Sequence, residues 1–246
     1  MPRAVREQQM LDAAVRTFGQ RGYRAASMDE IAELAGVSKP LVYLYLNSKE
    51  ELFSACIRRE AAALVAAVRE GAAGRGVEDD RAVPGVSAVS GVSAGLGVSA
   101  VPGVPAVPGV PAVPAVPADR QLWDGLRAFF THTAERPDGW AVLHSQARTQ
   151  GEPFAAEVAA MREEIVSFVT TLIAEAARSA HGDPSLPERE VAGLAQALVG
   201  AAESLAGWAN EEGSVSAKEA AATLMNFAWA GLGGLMEGRR WVPSPL

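Results

Sequence analysis

Cysteine is nearly missing from this chain: Cys56 is the only one in 246 residues. An intrachain disulfide and a multi-cysteine zinc site are therefore excluded, and a reducing cytoplasm is the expected setting. Long apolar runs are missing too. Outside the Pro/Gly-rich stretch 82–118, the longest uncharged stretch, Ala220 to Met236, has 17 residues with three glycines among them, short of a membrane span, so a buried helix and no membrane contact are expected. The opening MPRAVREQQM carries charges without an apolar core, so no secretory signal is expected. A net charge of −7 excludes a chain that coats nucleic acid over its whole surface. That charge is uneven, however. Residues 1–60 hold 9 Lys/Arg against 8 Asp/Glu, and the acidic excess lies beyond them, which leaves room for a local anion-binding face near the start. No segment alternates like a strand.

Proline and glycine, by contrast, are concentrated. Residues 82–117 divide into twelve triplets, and all but Ala94-Gly95-Leu96 read Gly/Ala, then Val, then Ser/Pro. Proline at every third position from Pro102 to Pro117 removes a donor and fixes φ each time, which forbids helix and interior strand. An extended, partly stiff linker over 82–118 is expected, at a closure cost that grows only logarithmically with length. Gly91-Val92-Ser93-Ala94-Gly95 matches the Gly-x-Ser-x-Gly elbow of hydrolases, but that motif needs a strand before it and a helix after it. No catalytic residue is assigned.

Outside the repeat the apolar period is helical. Met10, Leu11, Ala14, Val15 and Phe18 predict a helix stopped by Gly19. Ser27 with Glu30, Ser48 with Glu51, and Ser216 with Glu219 have capping-box spacing. From Lys49 the pattern runs unbroken to about Glu70. Five further segments are predicted near 120–135, 138–149, 154–180, 187–211 and 217–238, with Pro153 and Pro187 at first-turn positions. The fold class is all-α.

Between Ser27 and Leu46 the spacing is tight. A helix from Met28 to about Ala35 ends at Gly36, and Ser38 caps a second with Lys39 and Pro40 in its first turn. Two short helices joined by a glycine turn make a helix-turn-helix. Val42, Tyr45 and Leu46 face inward on the second helix, and Lys39, Pro40 and Tyr43 face outward. A cation, a phenol and an open helix start suit the DNA major groove and its phosphates.

The stretch AVRTFGQRGYRAASMDEIAELAGVSKPLVYLYLNSKEELFSACI resembles the DNA-binding domain of the tetracycline-repressor (TetR) family. The likeness rests on the spacing of Phe18, Gly22 and Tyr23, on Ser27-Met28 before Ile31-Ala32, on Ala35-Gly36-Val37-Ser38, on Tyr43, and on Ser48 to Leu52. The resemblance implies a DNA-binding domain over 4–64, a connecting helix ending within 65–81, and an effector-binding and dimerising domain over 119–246. It places Ser27, Ser38, Lys39, Tyr43 and Lys49 at DNA, with Met28, Pro40 and Tyr45 completing the expected set. Leu44 and Leu46 depart from the aromatics common at those positions, which leaves the sequence read by Leu44 open.

In the remainder, Trp123, Phe129, Phe130, Trp140, Phe154, Phe168, His132 and His144 gather most of the aromatic supply. Trp123, Phe130, Trp140, His144 and Phe168 are the candidate effector contacts. His132 and His144 lack a third ligand at metal spacing, so no metal and no cofactor are expected. Small-residue stripes at Gly200, Glu203 and Gly207, and at Gly231 and Gly234, are the candidate dimer contacts, in line with the paired last helices that the resemblance implies. The expected partners are a palindromic double-stranded DNA operator, a second copy of the chain and a small-molecule effector. The expected activity is that of a homodimeric repressor released by its effector and not of an enzyme, the alternative being an effector-independent activator or architectural factor.

Overall fold

The helical period of the sequence is realised throughout the described residues, 3–74, 116–181 and 188–236 of a computed structural model. The elements are α1 (Arg3–Ala25), α2 (Met28–Leu34), α3 (Lys39–Tyr45), α4 (Lys49–Ala72), α5 (Ala118–Glu135) and α6 (Pro137–Ala141). A π-helical turn (Val142–Gln146) follows, then α7 (Ala147–Gln150), α8 (Phe154–His181), α9 (Glu188–Glu212) and α10 (Ala217–Met236). No strand occurs among the described residues. The repeat up to residue 115, with Ser93, and Pro187 lie outside them; Ala118, the last residue assigned to the linker, already belongs to α5.

The predicted stop at Gly19 does not occur. Gly19 lies inside α1, where a Cβ would stand 2.7 Å from the Asp138 carbonyl oxygen, so glycine there admits the backbone of α6. The break comes at Gly22 (φ 77°), a left-handed conformation that favours glycine. Past the kink the Tyr23 amide donates to Oε1 of Gln146 on the π-helical turn at 3.4 Å.

The three capping boxes form to different degrees. Only Ser216 and Glu219 close reciprocally, the Ser216 amide donating to Glu219 Oε2 (2.9 Å) and the Glu219 amide to Ser216 Oγ (3.2 Å). Ser48 Oγ accepts from the Glu51 amide at 3.0 Å, but Glu51 turns to Asn47. Ser27 Oγ accepts from Asp29, and Glu30 pairs with Arg21. In each case where the box stayed open, another side chain captured the acid.

The core of the first domain is Phe18, Ile31, Val42, Phe53 and Ile57, each fully buried, with Met28 at 6% exposure. Edge-to-face contacts of Phe53 with Phe18 (4.9 Å) and Phe154 (4.9 Å) carry this core onto α8. At the α4/α5 crossing, a Cβ on Gly71 would come within 2.5 Å of Ala128 Cβ, so small residues set that close approach. The uncharged C-terminal segment is a helix, as expected, but not a fully buried one: Phe227 is 75% and Trp229 39% exposed in the single chain. No helix among the described residues is long and apolar enough to cross a membrane.

Among the described residues the most deeply buried charge is Glu60, at 1% exposure on α4. Arg136, between α5 and α6, donates through Nε (3.0 Å) and Nη2 (2.8 Å) to its two carboxylate oxygens, and Arg59 donates to Oε1 at 2.9 Å. Arg59 also reaches Asp12 of α1 at 2.7 Å. Gly139 of α6 packs so tightly against Glu60 Oε2 that a side chain there would displace it. Burial alone would raise the Glu60 pKa, but the hydrogen bonds and charges of Arg136 and Arg59 outweigh it and hold the carboxyl below its ordinary value.

Two expectations follow. Gly19→Ala should lower the thermal midpoint through its clash with Asp138, whereas Gly193→Ala, in open space on α9, should raise stability by up to about 1 kcal/mol; thermal denaturation reads both. Glu60→Gln should cost about 3 kcal/mol at neutral pH, the low end for breaking a buried pair because Arg136 is 43% exposed. Since the folded pKa is depressed, the wild-type advantage is fully present above the unfolded value and shrinks as pH falls through the folded one. Parallel denaturant melts at several pH values check it.

Candidate DNA interface and effector cavity

The outward surface of the helix-turn-helix follows from two caps and a glycine. Gly36 (φ 66°) turns the chain after α2, and Ser38 in extended conformation starts α3 with Pro40 in its first turn. On α3, Val42 is buried, and Tyr45 and Leu46 are half-buried against the core. Lys39, Pro40, Tyr43 and Leu44 are exposed, Leu44 at 74%. The expected division of the helix into two faces is therefore present.

Around this face, Lys39 Nζ is paired with Asp29 at 2.8 Å, and that hydrogen bond raises its pKa, so the ammonium stays charged. Lys49 is held at the start of α4 by the Arg24 carbonyl (3.3 Å) and lies 4.9 Å over the Tyr23 ring; burial lowers its pKa. Ser27 is exposed and caps α2; Ser38 is exposed and its hydroxyl makes no cap bond. Tyr45 packs inward with the Arg3 guanidinium 5.0 Å over its ring. Met28 differs from the rest of the expected set, because its side chain is buried in the three-helix core and only its backbone lies at the helix start. Leu44 was legible as a departure, yet its exposure makes it the most prominent apolar group of the face.

Behind α4 lies a narrow cleft of about 50 Å³. Leu64 and Val68 of α4 form one wall, Leu122, Leu126 and Phe129 of α5 a second, Met161, Ile165, Phe168 and Leu172 of α8 a third, and Leu198, Val199 and Ala202 of α9 close it. Gln121 and Glu203 are its only polar lining residues among the described ones. Of the five aromatic candidates, Trp140 and Phe168 line this cleft. His144 stands behind the wall, stacked on Trp140 (4.8 Å, 13°); burial and Arg148 lower its pKa, so it is neutral at pH 7. Phe130 is buried against Phe129 outside the lining, and Trp123 is half-buried against the core, also outside it. Aromatic spacing could not show this, since core and cavity aromatics share the same period.

The stripe on α9 is half-buried in the single subunit. Glu203 lines the cleft and accepts from Arg162 Nε at 3.3 Å, with Arg148 at 4.0 Å. Gly200 lies beside Arg162, and Gly207 beside His144. Gly231 is exposed with open space around it, and the surroundings of Gly234 lie outside the described residues. The exposed apolar groups here are Trp208 on α9 and Phe227 and Trp229 on α10.

This architecture is found in known proteins. Residues 10–56 match the bacterial regulatory proteins of the tetR family, and residues 118–231 match the tetracyclin repressor-like C-terminal domain. The crystal structure of a TetR-like transcriptional regulator from Rhodococcus sp. RHA1 is similar with a TM-score of 0.67 and 32% identity, over 95% of this chain and 99% of that one. The transcriptional regulator FadR from Bacillus subtilis, solved in complex with stearoyl-CoA, has the same fold (TM-score 0.65, 14% identity, 92% and 98% covered). The transcriptional activator FasR of Mycolicibacterium smegmatis is 50% identical over 70 residues, 28% of this chain and 32% of FasR. BetI of Rhizobium meliloti, an HTH-type transcriptional regulator, is 48% identical over 54 residues, 22% of this chain and 27% of BetI. The match thus spans about a third or less of these curated relatives, both of them transcriptional regulators. With helix-turn-helix, connecting helix and cavity domain present in one order, the chain belongs to the tetR family of bacterial regulatory proteins.

Proposed function

We propose that the protein is a homodimeric, sequence-specific DNA-binding regulator whose grip on its operator is released when an apolar small molecule fills the cleft behind α4. The observation that carries this reading is α4 itself. Its first residue, Lys49, stands beside the recognition face, and Leu64 and Val68 of the same helix are cleft wall. A helix of 24 residues is about 36 Å long, enough to hand a shift at one end to the other. An effector that prefers the setting of α4 opposite to the one the operator prefers weakens operator binding, and the operator weakens effector binding by the same factor.

In this reading Lys39, Tyr43, Ser27, Ser38 and Lys49 meet phosphates or base edges, Pro40 and Leu44 offer apolar contact to a thymine methyl, and Tyr45 supports the helix from within. Dimerisation uses the exposed side of α9 and α10, with Trp208, Phe227 and Gly231 at its centre, and gives two recognition helices for a palindromic operator. The complex of Bacillus subtilis FadR with stearoyl-CoA supports an apolar effector for this fold. Repression is the simplest output. The identity to a protein named as an activator favours activation as the second reading.

The test is fluorescence anisotropy of the purified protein on DNA from upstream of its own coding sequence, at two salt concentrations. Lys39→Ala and Tyr43→Ala should each weaken binding by about 1–3 kcal/mol while the dimer stays folded, and Lys39→Ala should flatten the salt slope by about one. Asp29→Asn, which removes the anion that engages Lys39 in the free protein, should tighten binding. Wild-type affinity in both alanine variants would remove α3 as the reading helix. A promoter fusion in the presence and absence of the protein gives the sign of regulation.

A further inference from the structure

The π-helical turn Val142–Gln146 is held in its wide winding by two hydroxyls. Ser145 Oγ donates to the Ala141 carbonyl at 2.8 Å, and Thr149 Oγ1 lies 3.0 Å from the carbonyl oxygens of both Ser145 and Gln146. Wide winding leaves carbonyls without their usual amide partner, and these side chains supply donors in its place. The turn is thus supported by its own sequence, and its effect is to aim His144 and Gln146 at different neighbours.

Gln146 is aimed at α1. Its Oε1 accepts the Tyr23 amide at 3.4 Å, and a Cβ on Gly22 would stand 2.9 Å from the same oxygen, so glycine at the kink also admits this side chain. The residues past the kink are therefore tied to the turn, and they in turn seat Lys49. Its ammonium lies 4.9 Å over the Tyr23 ring and donates to the Arg24 carbonyl at 3.3 Å, and no carboxylate pairs with it among the described residues. An ammonium seated on neutral groups keeps its charge for a phosphate, whereas Lys39 must first leave Asp29.

His144 is aimed the other way. It stacks on Trp140, a wall of the cleft, and its Nε2 is 3.9 Å from where a Cβ on Gly207 of α9 would stand. One five-residue turn thus touches the cleft wall, α9 and the segment that seats Lys49. A change in which carbonyl the turn skips rotates His144 and Gln146 together about the helix axis.

Resting on the reading above, in which Lys49 meets operator phosphate, we propose that Gln146 is a positioning residue for that contact. It fixes the segment past the kink, whose Tyr23 ring and Arg24 carbonyl set the Lys49 ammonium, and it carries the state of the Trp140 wall to the DNA face by a path that does not run along α4. Operator binding is then felt at Trp140, since coupling between two sites is reciprocal.

A double-mutant cycle on a duplex that the wild-type protein selects from a random library tests this, with anisotropy as the readout and thermal melts to show that each variant is folded. Gln146→Leu should weaken binding about fivefold, yet change it by less than about twofold in a Lys49→Ala background, where the group it positions has gone. Tyr23→Phe, which keeps a ring under the ammonium, should bind as the wild type does, and Tyr23→Leu should not. Saturating duplex should also shift the part of the tryptophan emission that Trp140→Phe removes, and Gln146→Leu should cancel that shift. Equal losses from Gln146→Leu with and without Lys49, or a Trp140 signal that duplex leaves unchanged in the wild type or still shifts in Gln146→Leu, overturn the inference and leave the regulator reading standing. Wild-type affinity in Lys49→Ala removes the phosphate contact on which the inference rests, and a protein that selects no duplex overturns the regulator reading itself.

Discussion

Glu60 is 1% exposed with two guanidinium groups on it, and the joint between the two domains is arranged around that contact. Its partners come from different places: Arg59 is its neighbour on α4 and extends to Asp12 on α1, while Arg136 links α5 to α6. A carboxylate in such a position is costly to desolvate, and its pairing offsets that cost only when every partner is in place. The arrangement therefore contributes more to specificity of docking than to raw stability. Gly139 must lack a side chain for α6 to lie on Glu60, and Gly19 must lack one for α6 to lie on α1. Three unrelated positions in the sequence thus serve one close approach.

From that joint the chain enters the π-helical turn, whose wider winding places two side chains that an α-helix would aim elsewhere. His144 stacks on Trp140, a wall of the cleft, and two residues later Gln146 accepts the amide of Tyr23 just past the kink in α1. The first domain and the cleft share more than α4, since this turn touches both. Phe154 adds a third connection, packing on Tyr23 and Phe53 at 5.5 and 4.9 Å. Domains joined through a buried ion cluster, a π-turn and an aromatic cluster move in a coupled way, because packed interiors adopt alternative arrangements and do not deform continuously.

The differences between expectation and structure have a common origin. Gly19 has the local signature of a helix stop, but glycine also permits close approach, and only the position of Asp138 distinguishes the two. Phe130 and Trp140 carry the same aromatic signal at helical spacing, and the crossing of α5 with its neighbours decides that one fills the core and the other a cavity wall. Gly200, Glu203 and Gly207 form a stripe suited to another helix, and within the single subunit it stays half-buried, Gly200 and Glu203 beside Arg162 of α8 and Gly207 beside His144. Met28 sits at a helix start, where its backbone faces outward and its side chain faces in.

What the sequence determined by itself is whatever rests on contacts between near neighbours. The 3.6-residue period, the caps at Ser27, Ser48 and Ser216, the turn at Gly36 and the sidedness of Lys39, Tyr43 and Val42 all depend on spacings of a few residues, and each is present in the structure. Tertiary structure alone decided what each apolar stripe packs against. Leu64 and Leu172 are 108 positions apart and share a cleft, and Glu60 and Arg136 are 76 apart and share a charge. A periodic pattern fixes which side of a helix is apolar but carries no record of its neighbour, so the cavity, the buried ion cluster and the seam between α5 and α8 exist only once the helices have crossed.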